Sequence, residues 1–477
     1  MLSTNEKHSE QLIISDKDSS GPPPSLAPEH DSCVDENKLL RRIDFHVLPI
    51  LWIIYVAAFL DRTNMSNALT LGLPGELGLN NHQVSIMLAI FFVPYTLLEI
   101  PSNMLLKKCH PHNWLAACIL TFGFVTIGQG FVQSYEGLLV ARFFLGVAEA
   151  GVFPGGFYLI SFWYKREEAQ KRFTVYFSST IISSAFGSLL ASAIAKLDGA
   201  RGLTSWRWIF IIEGVATVIV GVVAYFCMTD FPREAKWLSP EERAFVLAKT
   251  GADESHNVPV TLRDLLNFLS KPIHWVGGMM YLTLAIPAQT FGFFLPTIVQ
   301  ALGYGPVETQ LHAVPPAAAG LGYALVIAYL SDKLRVRSIL VFLSLAILVT
   351  GLSLLTAIHG ASSEFPTEYA ALCLMGMGIF GSATIIVCWW VMNLRGHAER
   401  AIGSAWQISL GSIGGIIAAF TFKSDKGFYH TGYSISLALS LACVVACASY
   451  TILIWRRRKA EARSREVGGI KHDPLWL

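Results

Sequence analysis

Charge is scarce in this sequence: 15% of residues are Asp, Glu, Lys or Arg, 53% are hydrophobic, and mean hydropathy is +0.48. Soluble domains carry about 25% charged residues, so this chain cannot cover an ordinary water-facing surface and reads as a polytopic membrane protein. A formal net charge of +2 gives no strongly basic or acidic field, which argues against a nucleic-acid partner. Cysteine supplies no framework. The eight cysteines, at 33, 109, 118, 227, 373, 388, 443 and 447, lie in the N-terminal tail or within and beside apolar segments, with no CxxC spacing to suggest a metal site or disulfide scaffold. Cys443 and Cys447 sit one helical turn apart among Leu, Val and Ala and read as packing groups. A phosphate-cradling glycine loop, a nucleophile elbow and a metal-spaced His/Cys set are also missing, so the chain does not read as an enzyme. Residues 1–44 are polar, contain SSGPPPSLAP at 19–28 and lack the apolar core of a signal peptide. They read as a disordered tail.

What is abundant is long apolar sequence. A spanning helix needs about 20 apolar residues, and twelve stretches qualify: 46–66, 84–105, 114–133, 137–159, 173–195, 207–228, 273–298, 311–330, 338–358, 369–392, 402–422 and 433–455. The longest interruption, 229–272, is charged and contains FPREAKWLSPEER, which reads as a short amphipathic helix in a central loop. It separates residues 45–228 from residues 273–455, 184 and 183 residues long. The expected fold is therefore all-α, with twelve transmembrane helices in two six-helix bundles around a midplane site. Lys and Arg set the orientation. With the N-terminus in the cytoplasm, the inner segments hold 29 of them and the outer loops 5. Both termini, including a C-terminal tail at 456–477, are then cytoplasmic.

The two remaining cations, Arg62 and Arg142, lie within spans. The apolar run 45–60, followed by DRTNMSNA, is 16 residues long and would cover only about 24 Å as a helix, less than a hydrocarbon core of about 30 Å. The first span must therefore continue through Asp61 and Arg62, which places both inside the protein, where an ionisable residue marks a functional path or an internal pair. ARFFLGVAEAGVFPG in the fourth span puts Arg142 and Glu149 seven residues apart on one helix face,. Gly146, Ala150 and Gly151 there admit a close neighbour. A mid-span Glu149 is a group that can be loaded and unloaded with a proton as a cationic partner moves. The alternative is that Asp61, Arg62, Arg142 and Glu149 form a static packing network. Glu99 and Glu213 read as structural.

Five motifs together resemble the major facilitator superfamily and, within it, the anion:cation symporters of the fungal allantoate, nicotinate and pantothenate permease branch. They are DRTNMSNA (61–68), YTLLEIPSNMLLKK (95–108), RFFLGVAEAGVFPG (142–155), WRWIFIIEG (206–214), and FFLPTIVQALGY to AVPP (293–316). The resemblance covers residues 44 to 455. It implies proton-coupled uptake of a small organic anion by alternating access, with the proton gradient as energy source and no cofactor or metal. It also implies a monomeric permease, usually of the plasma membrane. Arg62 resembles the family's carboxylate ligand, Asp61 and Glu149 its proton-coupling acids with Arg142 beside them, and Tyr95 a substrate-contacting tyrosine. A guanidinium in a dry cavity suits a carboxylate.

Polar and aromatic mid-span groups of the second half, Gln289, Trp389, Asn393, Trp406 and Gln407, are the expected far wall of the site; the tryptophans read equally as interfacial or lipid-facing groups. WWVMNLRGHAER (389–400) departs from the fungal pattern, with Met392 in place of an amide and Glu399 in place of a lysine. YLSDKLRVR (329–337) resembles the second-half copy of the superfamily's gate motif, with Asp332, Arg335 and Arg337 as gating residues or, equally, as an ordinary basic loop. Two other functions stay open. One is export of a metabolite, although the fifth span lacks the Gly-Pro motif of drug antiporters. The other is a non-transporting nutrient sensor.

Overall fold

The computed structural model describes residues 35–250, 261–334, 336–357, 365–394, 396–421 and 429–466. Every regular element among them is helical. The spanning helices of the first half are α1 (Glu36–Thr70), α2 in two pieces (Asn81–Ile90 and Phe92–Lys108), α3 (Pro111–Gln129), α4 in two pieces (Tyr135–Glu149 and Val152–Trp163), α5 (Arg166–Ile194) and α6 (Ser205–Cys227). Those of the second half are α7 (Pro272–Ala301), α8 (Pro306–Leu334), α9 (Arg337–Ala357), α10 (Phe365–Asn393), α11 (Gly396–Thr421) and α12 (His430–Glu466). Among the described residues, eleven helical stretches are long and apolar enough to cross a membrane. The twelfth, α3, opens on the polar turn PHNW.

Local chemistry sets the ends. Asn80 and Gln83 form a reciprocal capping box at the start of α2, and the Ser134 hydroxyl accepts from the Gly137 N–H at the start of α4,. Pro111 and Pro272 occupy first-turn positions, where a missing N–H costs nothing,. The spans expected to be continuous at 84–105 and 137–159 are each broken, at Phe91 and at Ala150–Gly151. The cause is proline: Pro94 cannot donate to the Ile90 carbonyl four residues earlier, nor Pro154 to that of Ala150.

The tail expected through residue 44 is also corrected. Helix α1 begins at Glu36 because the Asp35 carboxylate accepts from the N–H groups of Asn37 and Lys38, at 3.1 and 3.2 Å. Asp44 then pairs with both arms of Arg172, at 2.8 Å each. At the other end, α12 runs past residue 455 to Glu466.

The segment expected as one central loop divides in two. Its amphipathic helix, Pro240–Thr250, is fastened to the first bundle: Lys249 Nζ bonds Glu36 and Glu168 at 2.8 Å each. Arg42 donates to the Trp237 carbonyl at 2.7 Å, and the His46 ring stacks on Trp237 at 4.3 Å. A second helix, Leu262–Leu269, belongs to the other bundle. There Phe268 stacks on His274 at 3.8 Å and the Trp275 indole donates to the Leu269 carbonyl at 2.7 Å.

The two bundles meet directly at the C-terminal end of α1. Ser66 Oγ donates to the Phe293 carbonyl at 2.5 Å, the Thr70 carbonyl accepts from Gln300 Nε2 at 3.2 Å, and Thr70 Oγ1 accepts from Gln310 Nε2 at 2.7 Å. Arg62 lies eight residues before Thr70, about 12 Å of helix below this seam.

Candidate functional site

The charged residues of α1 and α4 converge beneath the seam. Glu149, the last residue of the first piece of α4, turns one carboxylate oxygen, Oε1, toward Arg62, whose Nε and Nη2 approach it at 2.7 and 2.6 Å. The other oxygen is buried without a hydrogen bond. Glu149 is 1% exposed and the Arg62 side chain 13%. Of the two partners, the Arg62 side chain is thus the more accessible, although its Nη2 is buried against Glu149. Three rings surround it, with centroids 4.7 Å (Tyr95), 5.2 Å (Phe91) and 5.7 Å (Phe59) from its central carbon,.

Phe91 links the two breaks. It marks the break in α2, and its carbonyl lies so close to Gly146 of α4 that a Cβ there would sit 2.2 Å from it. Arg142 of α4 covers the same ring at 5.7 Å and faces Asp61 and Glu149. Its Nε and Nη1 are buried without hydrogen bonds. Asp61 points away from Arg62 into the first bundle, accepting from Thr126 Oγ1 at 2.7 Å and Asn64 Nδ2 at 3.4 Å. Five expected residues, Asp61, Arg62, Tyr95, Arg142 and Glu149, thus form one cluster. In it the Arg62 guanidinium is pinned by an internal carboxylate and walled by aromatic rings.

The expected far wall is more scattered. Trp389 is fully buried, edge-on to Tyr450 of α12 at 4.9 Å, and its carbonyl accepts from the Asn393 amide at 2.9 Å. Both help to pack α10 against α12. Trp406 is half-buried on α11 against Trp275 at 4.9 Å, fitted so closely over Gly278 that a Cβ there would meet its Nε1 at 2.3 Å. Its indole N–H and the buried Gln407 amide nitrogen make no hydrogen bond. Gln289 is half-buried on α7, beside Thr290, whose hydroxyl lies 3.4 Å from that of Thr421.

The gate-like loop expected at 329–337 is mostly helix. Asp332 falls within α8, Arg337 is buried at the first position of α9, and Arg335 lies outside the described residues. Sequence reading missed Phe59, Phe91, Asn64 and Thr126, and it missed three phenols within electrostatic reach of Arg62. These are Tyr55, Tyr176 stacked on Tyr55 at 4.7 Å, and Tyr281 of α7. One signal was present: Tyr55, Phe59 and Arg62 recur at helical spacing on α1,.

Two six-helix bundles around a buried charged cluster are an architecture found among membrane transporters. The sequence model of the Major Facilitator Superfamily matches residues 51–419, and the chain belongs to that superfamily. It is 31% identical over 480 residues to the "MFS transporter prlL" of Fungal sp. strain NRRL 50135, covering 97% of this chain and 95% of the relative. It is 29% identical to the "Major facilitator-type transporter hxnP" of Emericella nidulans, over 91% and 88% of the two chains. It is 31% identical to a tartrate transporter candidate of Agrobacterium vitis, over 80% and 87%. Among solved structures, a bacterial homolog of the human lysosomal transporter Spinster, in an inward-facing and occupied conformation, shares the fold. Its TM-score is 0.64 at 15% identity, covering 86% of this chain and 96% of that one.

Proposed function

We propose that this protein is a proton-coupled importer of a small organic anion, working by alternating access with Arg62 as the carboxylate ligand. The observation that carries the reading is the pinned, partly exposed Arg62: its charge is already answered by Glu149, so an anionic substrate must compete with that carboxylate. A proton on Glu149 weakens its hold on the guanidinium and frees the planar donor edge for the substrate's carboxylate. Proton and anion are thereby loaded together. When the proton leaves toward the cytoplasm, Glu149 reclaims Arg62 and ejects the anion. Arg142 serves as the second counter-ion, shared by Asp61 and Glu149, which together are the proton-coupling acids. Tyr95, Phe91 and Phe59 hold the guanidinium in place.

In this reading Tyr281, Gln289, Trp406 and Gln407 close the site from the second bundle, with Trp389 and Asn393 supporting that wall from behind. Asp332 and Arg337, with Arg335 between them in the sequence, would serve as gating residues on the cytoplasmic side. The protein works as a monomer in the plasma membrane with both termini in the cytoplasm, and the Ser66, Thr70, Gln300 and Gln310 seam is its closed outer face. A small hydroxylated or nitrogenous carboxylate fits this polar, phenol-rich surround, and the name of the Agrobacterium relative points the same way.

The test is uptake of labelled monocarboxylates, ureides and hydroxy-diacids by a permease-deficient cell as external pH is varied. Uptake is expected to rise as external pH falls and to collapse with a protonophore. In Glu149→Gln, exchange of anion across the membrane is expected to continue while accumulation against a gradient is lost. Uptake that ignores both pH and protonophore sinks the coupling mechanism. Net efflux from loaded vesicles under the same gradient would replace import by export.

A further inference from the structure

The first bundle encloses four carboxyls, Asp61, Glu99, Glu149 and Glu213, but only two guanidiniums to answer them, those of Arg62 and Arg142. Arg207, also buried, is committed to Glu76 at the seam end, at 2.7 Å. An unpaired buried charge costs several kcal/mol, and such a group neutralises instead. Two of the four acids must then hold a proton. Glu149 is bonded to Arg62, and Asp61 has Thr126, Asn64 and Arg142 around it. Glu99 faces Arg62 and Tyr281 and belongs to the central site. Glu213 stands apart from all of these.

Glu213 lies eight residues into α6, wedged where α1, α3 and α6 meet. The α3 contact there is close: a Cβ on Gly214 would sit 2.7 Å from the Ile127 nitrogen, and one on Gly123 would sit 3.0 Å from the Val218 nitrogen. Helices α3 and α6 thus pack backbone to backbone beside Glu213. Glu213 is 3% exposed, and neither of its oxygens makes a hydrogen bond of normal geometry. The groups within its electrostatic reach are the Asn64 amide and the Asp61 carboxylate, both on α1. Helix α3 offers only neutral groups at this depth, Thr126 and Gln129, and α5 carries no charge beyond its first two turns. Asn64 is itself half-satisfied: its Nδ2 donates to Asp61, while its Oδ1 has no donor. A proton on Glu213 supplies that missing donor, and it lets one amide bridge a protonated and an ionised carboxyl.

We infer that Glu213 is a further proton-binding site of the transport cycle, joined to Asp61 through the Asn64 amide and separate from the Arg62–Glu149 pair. The inference rests on the proton-coupled reading above. Because the two carboxyls share one amide, they titrate as a pair. A shift in how Arg142 divides its charge between Asp61 and Glu149, which needs no movement of the helices, draws a proton onto this pair, and the reverse shift releases one. The anion and this proton then occupy different pockets of the same bundle.

The test uses the full-length protein in liposomes, with a transported anion found in the uptake screen. Each proton moved per anion multiplies the accumulation ratio by about ten for a gradient of one pH unit. Accumulation relative to counterflow is expected to fall about tenfold in Glu213→Gln and to recover in Glu213→Asp. In the purified protein, the protonated-carboxyl band that wild type loses in a pH-jump infrared difference spectrum is expected to weaken in Glu213→Gln. That measurement needs no transport. If wild-type accumulation ignores the gradient, the symport reading falls and takes this inference with it. If wild type responds but Glu213→Gln shows the same accumulation ratio and the same infrared band, Glu213 is a permanently neutral packing group and this inference alone is overturned.

Discussion

The two bundles are equal in length but bury different chemistry. The first encloses Asp61, Glu99, Arg142, Glu149 and Glu213 around the mostly covered Arg62, whereas the spans of the second carry no Asp, Glu, Lys or Arg in their middle. The second buries large rings instead: Trp390 fills the notch at Gly277 and donates to the Gly403 carbonyl at 3.1 Å, and Trp389 packs on Tyr450. A charge network confined to one body keeps its internal distances when the bodies move against each other. Coupling should therefore be written into the first bundle, and the shape of the accepted substrate into the second.

The largest expected effect that tests this division is at Arg62. Arg62→Lys keeps the charge but loses the planar fork, so half-saturation in counterflow should rise by roughly 10- to 150-fold, the equivalent of about 1.5–3 kcal/mol. A change under threefold would remove the anion subsite from the first bundle. Next come the two tight glycines. Gly146→Ala drives a Cβ into the backbone carbonyl of Phe91, which cannot swing aside, and should destabilise the protein by about 1–3 kcal/mol. Gly278→Ala meets the Trp406 and Leu410 side chains instead and should lower the detergent melting temperature less. The reverse order would mean that the second bundle is the more rigid body.

A smaller effect is expected at Tyr281. Replacing it with Phe should change the ratio of uptake between a hydroxylated and an unsubstituted monocarboxylate by roughly fivefold, about one hydrogen bond's worth, with the pH dependence of uptake as in wild type. A lost pH response instead would bring α7 into the coupling machinery. Smallest of all is His110, at the turn before α3. The Glu234 carboxylate beside it, at 3.0 Å, holds the imidazole above its usual range. A raised pKa stabilises the folded state at acid pH, and that contribution disappears as pH climbs through the raised value. His110→Ala should therefore lower the melting temperature slightly at about pH 5.5 and not at about pH 8.5.

Much of this was legible from the residues alone. The length of the run before Asp61 required the charges to lie inside a span, and the seven-residue spacing of Arg142 and Glu149 put them on one face. Their partners were less visible, because one sequence does not reveal which face of α2 or α7 turns inward; hence Phe91 and Tyr281 went unread. The helix breaks were only partly marked: Pro94 and Pro154 follow them within four residues, but Pro49, Pro101, Pro287 and Pro296 lie inside unbroken helices,, and continuous apolar sequence masks a backbone interruption in any count of hydropathy. Trp389 was misleading for a different reason: an indole in a span packs against a neighbour as readily as it lines a cavity.

The divided central segment has a mechanical consequence. Hydropathy puts the border between the halves near residue 228, but Lys249 rivets the following stretch to Glu36 and Glu168, and Phe268 glues the next helix to His274. If the bundles shift against each other, residues 237–250 go with the first and residues 262–269 with the second, so the Lys249 and Phe268 contacts are set to survive the movement and report on neither half of it.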